Sequence, residues 1–130
     1  MIRVSRRQFE QIVRETIEAL PAHLREAIHN VEIEIRSQPT RDDFAYAAEA
    51  GEEAPEGETL FGLYRGIPLT ERSSSYDLVL PDLITIFQRP HEEACNTLEE
   101  LKEEVAITVR HEIAHYFGID DNRLEELGAY

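Results

Sequence analysis

The segment VRHEIAHYFGIDD, residues 109–121, places His111, Glu112 and His115 inside an apolar stretch. His111 and His115 are four residues apart, so on a helix they lie on one face with Cβ atoms about 5–6 Å apart. Both imidazoles can then reach a single metal ion, to which zinc–nitrogen bonds are about 2.0–2.1 Å long. Glu112 is rotated about 100° round the helix from His111. A carboxylate there borders the histidine face and is suited to act on water, so the pattern HExxH predicts two metal ligands and a general base.

The apolar surroundings of these residues support the same interpretation. Between Val105 and Phe117 the only further charged side chain is Arg110, and most of the remaining side chains are apolar. Such a composition is typical of a helix buried on all sides. Burying ionisable groups is unfavourable by several kcal/mol unless they are paired or bind a metal. A metal ion would compensate for that burial.

A third ligand is expected beyond the end of the helix, because hydrolytic zinc usually has three protein ligands. Gly118 can adopt the positive φ that ends a helix and reverses the chain. Asp121 follows three residues later and is the predicted third ligand, with Asp120 beside it. The alternative role for Asp121 is the N-cap of a last helix. Asp120 could also serve as that cap, as could Asn122, which with Glu125 makes a capping-box pattern.

The string HExxHxxGxxD resembles the zincin metallopeptidases that have a glycine turn after the active-site helix; many of them end it with histidine, and some with aspartate. The chain as a whole resembles the short bacterial minimal zincin-like proteins, over GLYRGIPLTER, LPDLITIFQRP and HEIAHYFGIDD. The resemblance implies a small mixed β-sheet, an edge strand above the cleft, and one Zn²⁺ per chain. It also implies His111, His115 and Asp121 as metal ligands and Glu112 as base. The methionine turn of larger relatives is missing, because Met1 is the only methionine.

Two functions from different classes fit these residues. The first is a zinc-dependent metallopeptidase; the second is a non-catalytic, zinc-stabilised module that binds peptides or proteins on a protease-like site. Glu112 favours the enzyme, because a structural zinc site has no need of a base. A zinc ribonuclease is disfavoured by the acidic surface and by this glutamate. Tyr64 and Tyr76 are candidates for stabilising the oxyanion, with a structural role as the alternative for each, whereas Tyr116 lies on the wrong side of the helix.

The hydrophobic periodicity predicts an α+β fold in a single domain, residues 1–130, with a small mixed sheet packed on helices and an HExxH active-site helix. Residues 82–88 are the predicted edge strand for an extended substrate. A long exposed loop is expected over 38–58, with a helical turn near 42–49; its two alternative roles are a lid and a disordered segment. The remaining elements are helices over 5–20, 21–30, Asn96 to Gly118 (capped by Asn96) and 122–130, and strands over 31–37, 59–69 and 82–90, the last stopped by Pro90.

The charge distribution limits the possible partners. The net charge is −14, and residues 37–130 carry seven basic and twenty-one acidic side chains. Such a surface repels phosphate groups, so we expect a peptide or protein substrate, no nucleic acid and no membrane. Without a long apolar run or a signal-like apolar segment, we expect a cytoplasmic protein. The single cysteine, Cys95, excludes an internal disulfide and fits a reducing compartment. Three further histidines lack metal-like spacing and are predicted to face solvent: His23, His29 and His91.

Overall fold

The computed structural model describes residues 1–51, 59–66 and 81–118. These ranges contain, in chain order, α1 (Arg6–Glu18), α2 (Ala22–Ala27), β1 (Val31–Arg36), α3 (Arg41–Ala50), β2 (Gly62–Arg65), β3 (Asp82–Phe87), α4 (Gln88–Ala94) and α5 (Leu98–Tyr116). The predicted last helix and residues 67–69 of the second predicted strand lie outside these ranges.

The three strands form one mixed sheet in the order β1-β3-β2, which confirms the predicted fold class. β1 pairs with β3 in parallel, and β2 pairs with β3 antiparallel, with Gly62 opposite Ile86. β3 therefore lies in the centre of the sheet. The prediction that residues 82–88 form an edge strand is wrong, because both edges of β3 are hydrogen-bonded. Of the described strands, β1 and β2 are the outer ones.

Helices cover both faces of this sheet. Successive side chains of a strand point to opposite faces, so Ile84 and Ile86 share one face of β3 and Phe87 lies on the other. The first face packs against α1 and α5 in the main core, whose buried members include Phe9, Ile12, Val13, Leu101, Val105 and Val109. The second face carries a smaller cluster of Leu60, Leu63 and Phe87 with Ala47 of α3. This arrangement holds α5 against the sheet along its buried stripe.

The first half of the chain follows its local signals closely. Ser5 caps α1, with its hydroxyl accepting a hydrogen bond of 3.0 Å from the backbone N–H of Gln8. Pro21 precedes α2 and fixes the backbone geometry that a helix start requires. Both short helical predictions are confirmed, although each helix ends two or three residues before the predicted boundary.

Other elements also differ from the sequence prediction. β3 ends at Phe87, and Pro90 lies in the first turn of α4, where a missing N–H is tolerated. α5 is capped by Thr97, whose hydroxyl accepts from the backbone N–H of Glu100 at 3.1 Å, so the predicted cap at Asn96 is one residue early. Residues 41–50 form the full helix α3 rather than a single turn.

The capping of α3 explains why it extends so far. Thr40 and Asp43 form a capping box, in which each side chain accepts a hydrogen bond from the other residue's backbone N–H. Gly51 ends the helix with a φ of 82°. These two local signals lie inside the acidic segment that sequence analysis assigned to a loop.

Candidate metal centre

α5 brings His111 and His115 together at its last two turns. Their Nε2 atoms lie 3.1 Å apart, and the two half-buried rings meet edge to face with centroids 4.8 Å apart. Two nitrogen ligands in a tetrahedral zinc site, each at about 2.0–2.1 Å from the ion, are separated by about 3.3 Å. The two imidazoles therefore have the separation that a zinc ion requires of a ligand pair.

Glu112 lies beside the histidines and is buried between α5 and β2, with 3% of its surface exposed. Gly62 of β2 makes this close approach possible. A Cβ atom built on Gly62 would lie 2.7 Å from Thr108 Cγ2, 3.1 Å from Glu112 Cγ and 3.3 Å from Glu112 Oε2. Only glycine lets the strand pass so near the helix. The predicted base is thus held against the outer strand β2.

Gly118, just after α5, has the positive φ that the sequence predicts for it. Gly118 has a φ of 85°, and its backbone N–H donates a hydrogen bond of 2.9 Å to the carbonyl of His115. Asp120 and Asp121 lie outside the described residues, so the third ligand stays a prediction. Within residues 1–51, 59–66 and 81–118, no cluster of three His, Cys, Asp or Glu residues is arranged to hold a metal.

His91 is fully buried, so the prediction that it faces solvent is wrong. Its ring packs between Phe9 and Phe61, with centroids 5.7 Å and 5.0 Å away. Burial lowers the pKa of His91 to about 4, although the hydrogen bond with the carbonyl of Phe87 acts in the opposite direction. His23 and His29 are exposed, as predicted.

Tyr64 and Tyr76 were the candidates for stabilising the oxyanion, and the structure describes only the first of them. Tyr64 is buried, and its hydroxyl donates a hydrogen bond of 2.7 Å to Asp82 Oδ2, which favours the structural alternative. Tyr76 lies outside the described residues. Tyr116 is buried, whereas the two histidines are half-buried, and its hydroxyl donates a hydrogen bond of 3.1 Å to the backbone carbonyl of His29. It anchors the end of α5 to the turn before β1.

Cys95 is buried between α4 and α5. Burial raises the pKa of its thiol, and the nearby carboxylates of Glu104 and Glu100 raise it further. A thiol held in its protonated form is a poor nucleophile and a poor metal ligand, which supports an incidental role for Cys95.

The sequence model of the zincin-like metallopeptidase family matches residues 28–129, so the chain belongs to that family. The match includes the whole sheet and the helix that carries His111, Glu112 and His115. Membership indicates a metallopeptidase-type function, and zincin-like metallopeptidases usually bind zinc. No curated protein matches the chain. Among the described residues, no helix is long and apolar enough to span a membrane.

Proposed function

We propose that the protein is a zinc-dependent metallopeptidase that hydrolyses peptide bonds, with one zinc ion per chain bound by His111, His115 and Asp121. The observation that supports this proposal best is the 3.1 Å separation of the Nε2 atoms of His111 and His115. Glu112, the residue after His111, is buried beside them. A structural zinc site would close all four positions with protein ligands and would need no carboxylate beside it.

Glu112 carries the proton transfers in this proposal. A bound zinc ion would supply Lewis acidity toward a peptide carbonyl and toward water. Glu112 accepts the proton from the attacking water and later passes it to the nitrogen of the leaving amine. Its burial against Gly62 limits the access of bulk water and strengthens the electrostatic interactions of the carboxylate.

β2 is the strand best placed to hold the substrate. It lies at the outer edge of the described sheet, and Gly62 adjoins the Glu112 side chain. An extended peptide that adds to this edge by backbone hydrogen bonds would run past the proposed base. The net charge of −14 favours peptides that are neutral or basic over acidic ones.

The test is cleavage of a broad peptide library by zinc-loaded protein. We expect Glu112→Gln to lower kcat by about 10²–10⁴-fold, because general base catalysis contributes an effect of that size, while metal analysis still finds one zinc per chain. The matched control is Glu103→Gln, which changes an exposed carboxylate on the same helix and should leave cleavage unchanged.

Two outcomes would contradict the proposal in different ways. If wild-type protein binds one zinc ion and cleaves no library member, the non-catalytic binding module becomes the better interpretation. If zinc is neither present after purification nor taken up on reconstitution, the metal site itself is wrong.

A further inference from the structure

A buried hydrogen bond lies one helical turn before Glu112. His91 Nε2 is 2.8 Å from the hydroxyl oxygen of Thr108, and His91 Nδ1 is 2.6 Å from the backbone carbonyl of Phe87. A carbonyl oxygen can only accept, so Nδ1 carries the proton of the neutral imidazole. The unprotonated Nε2 must then accept from the Thr108 hydroxyl, whose single proton it shares with the Glu104 carbonyl 3.0 Å away. The Thr108 hydroxyl is therefore the donor in its hydrogen bond with His91.

This bond fixes the side chain of Thr108. In a helix threonine divides between two rotamers, because its hydroxyl can also bond the carbonyl four residues earlier. Here the hydroxyl oxygen lies 3.0 Å from the Glu104 carbonyl and 2.8 Å from His91 Nε2. With the hydroxyl held on that side, the methyl group faces β2, where Cγ2 is 2.7 Å from a Cβ built on Gly62.

The Thr108 methyl and the Glu112 side chain pack against the same point of β2. Glu112 Cγ is 3.1 Å from that Cβ position and Glu112 Oε2 is 3.3 Å from it. A different rotamer of Thr108 would therefore change the gap between α5 and β2 where the carboxylate lies. We propose that His91 and Thr108 are positioning residues for Glu112, because their hydrogen bond holds the Thr108 methyl against Gly62 and so sets the place of the carboxylate. This inference rests on the proposed catalytic role of Glu112.

Two variants remove the bond from either side. Thr108→Val deletes the hydroxyl and keeps the branched shape. His91→Phe deletes both ring nitrogens and keeps an aromatic ring between Phe9 and Phe61. The matched control is Thr16→Val in α1, where the hydroxyl donates to the carbonyl of Ile12 at 3.0 Å and has no histidine partner among the described residues.

The first measurement is the nuclear Overhauser effect between the Gly62 Hα and Glu112 Hγ protons in metal-free protein. We expect it to weaken about twofold in Thr108→Val and in His91→Phe, since small displacements suffice to misplace a catalytic group. In the zinc-loaded protein kcat should fall about tenfold, with KM and zinc affinity unchanged within about twofold. Thr16→Val should change none of these quantities.

The proposal is overturned if both variants fold and keep the wild-type Overhauser effect and kcat. If Thr108→Val does not fold, His91→Phe decides, because that variant keeps the Thr108 side chain and removes only its histidine partner. If the wild-type protein cleaves no peptide, the proposed function fails, and the Overhauser effect alone decides whether this pair positions Glu112.

Discussion

In the proposed zinc site, His111 and His115 of α5 are two ligands, and Asp121, after Gly118, is the predicted third ligand. Hydrolytic zinc ions usually have three protein ligands, so we expect loss of a ligand to weaken zinc binding more than loss of a neighbouring surface charge. Asp121 stands three residues beyond Gly118, with Asp120 as its neighbour of the same chemistry. The two aspartates therefore form a natural pair of variants.

We predict that Asp121→Ala weakens zinc binding and that Asp120→Ala does not. The second variant changes the net charge by the same amount, so it controls for the loss of a negative charge near the ion. The measurement is a zinc affinity by competition with a chelator of known constant. Equal and small effects in the two variants would assign Asp121 to helix capping instead.

Gly62 leaves room for the side chain of Glu112, the proposed base. Gly62→Ala would place a methyl group 2.7 Å from Thr108 Cγ2 and 3.1 Å from Glu112 Cγ. Overpacking of this kind destabilises by about 1–3 kcal/mol, and it also displaces the base, so peptide cleavage should fall with stability. Chemical unfolding and the cleavage assay together test both parts of this prediction.

A comparison with Gly51→Ala isolates the steric effect. Gly51 has a φ of 82°, and no atom of the described residues lies within 4 Å of a Cβ built on it, so its replacement strains the backbone without a clash among them. That variant should lose about 1 kcal/mol of stability and keep full activity. Loss of activity in Gly51→Ala would show that destabilisation alone explains the effect at Gly62.

At the scale of elements, Asp43 connects α3 to both outer strands of the described sheet. Its carboxylate accepts hydrogen bonds from Arg65 at 2.6 Å and from Arg36, and it also caps α3 through the backbone N–H of Thr40 at 2.7 Å. Burial alone would raise the pKa of Asp43, but these donors, with Arg65 the strongest, lower it to about 2. One side chain therefore holds the end of β2, the substrate strand of the proposed mechanism.

We predict that Asp43→Asn destabilises the protein by about 2 kcal/mol, the free energy that corresponds to a pKa lowered from 3.8 to about 2. Asp42→Asn is the matched control, since Asp42 is exposed in the same turn of α3. The measurement is urea unfolding followed by circular dichroism at pH 7. Equal midpoints for the two variants would contradict the role of Asp43.

The elements also show which features local sequence determines. The cap of α1, the alternation of β1 and the convergence of His111 and His115 all follow from spacings of a few residues, and all were predictable. The centre position of β3 was not, because alternation identifies a half-buried strand and carries no information about its neighbours. The burial of His91 depends in the same way on residues far away in the sequence, Phe9 and Phe61, which pack against its ring.

At the scale of the whole molecule, His91 and Asp43 predict how stability depends on pH. Unfolded His91 binds its proton below pH 6.5, whereas the folded residue stays neutral to about pH 4. The contribution of neutral His91 to the free energy of unfolding is therefore fully present above pH 6.5. It decreases by up to about 3 kcal/mol as the pH drops to about 4. Asp43 adds a loss of about 2 kcal/mol as the pH falls from 3.8 to about 2.

His91→Phe tests the first part of this prediction. The variant lacks the titrating group, so its urea midpoint should change less than that of the wild type between pH 7.5 and pH 4.5. All other carboxylates and histidines are the same in both proteins, so the difference between the two pH profiles isolates His91. Parallel profiles would show that another group causes the acid sensitivity.

The central place of β3 has a consequence for folding during synthesis. β1 and β2 do not pair with each other in the described sheet; each pairs with β3, which follows both in the chain. A ribosome therefore releases both outer strands before their common partner exists. The segments VEIEIR and GLYR therefore cannot pair with β3 until residues 82–87 have been synthesised. The glutamates that alternate along the first of these segments discourage edge-to-edge aggregation while it waits.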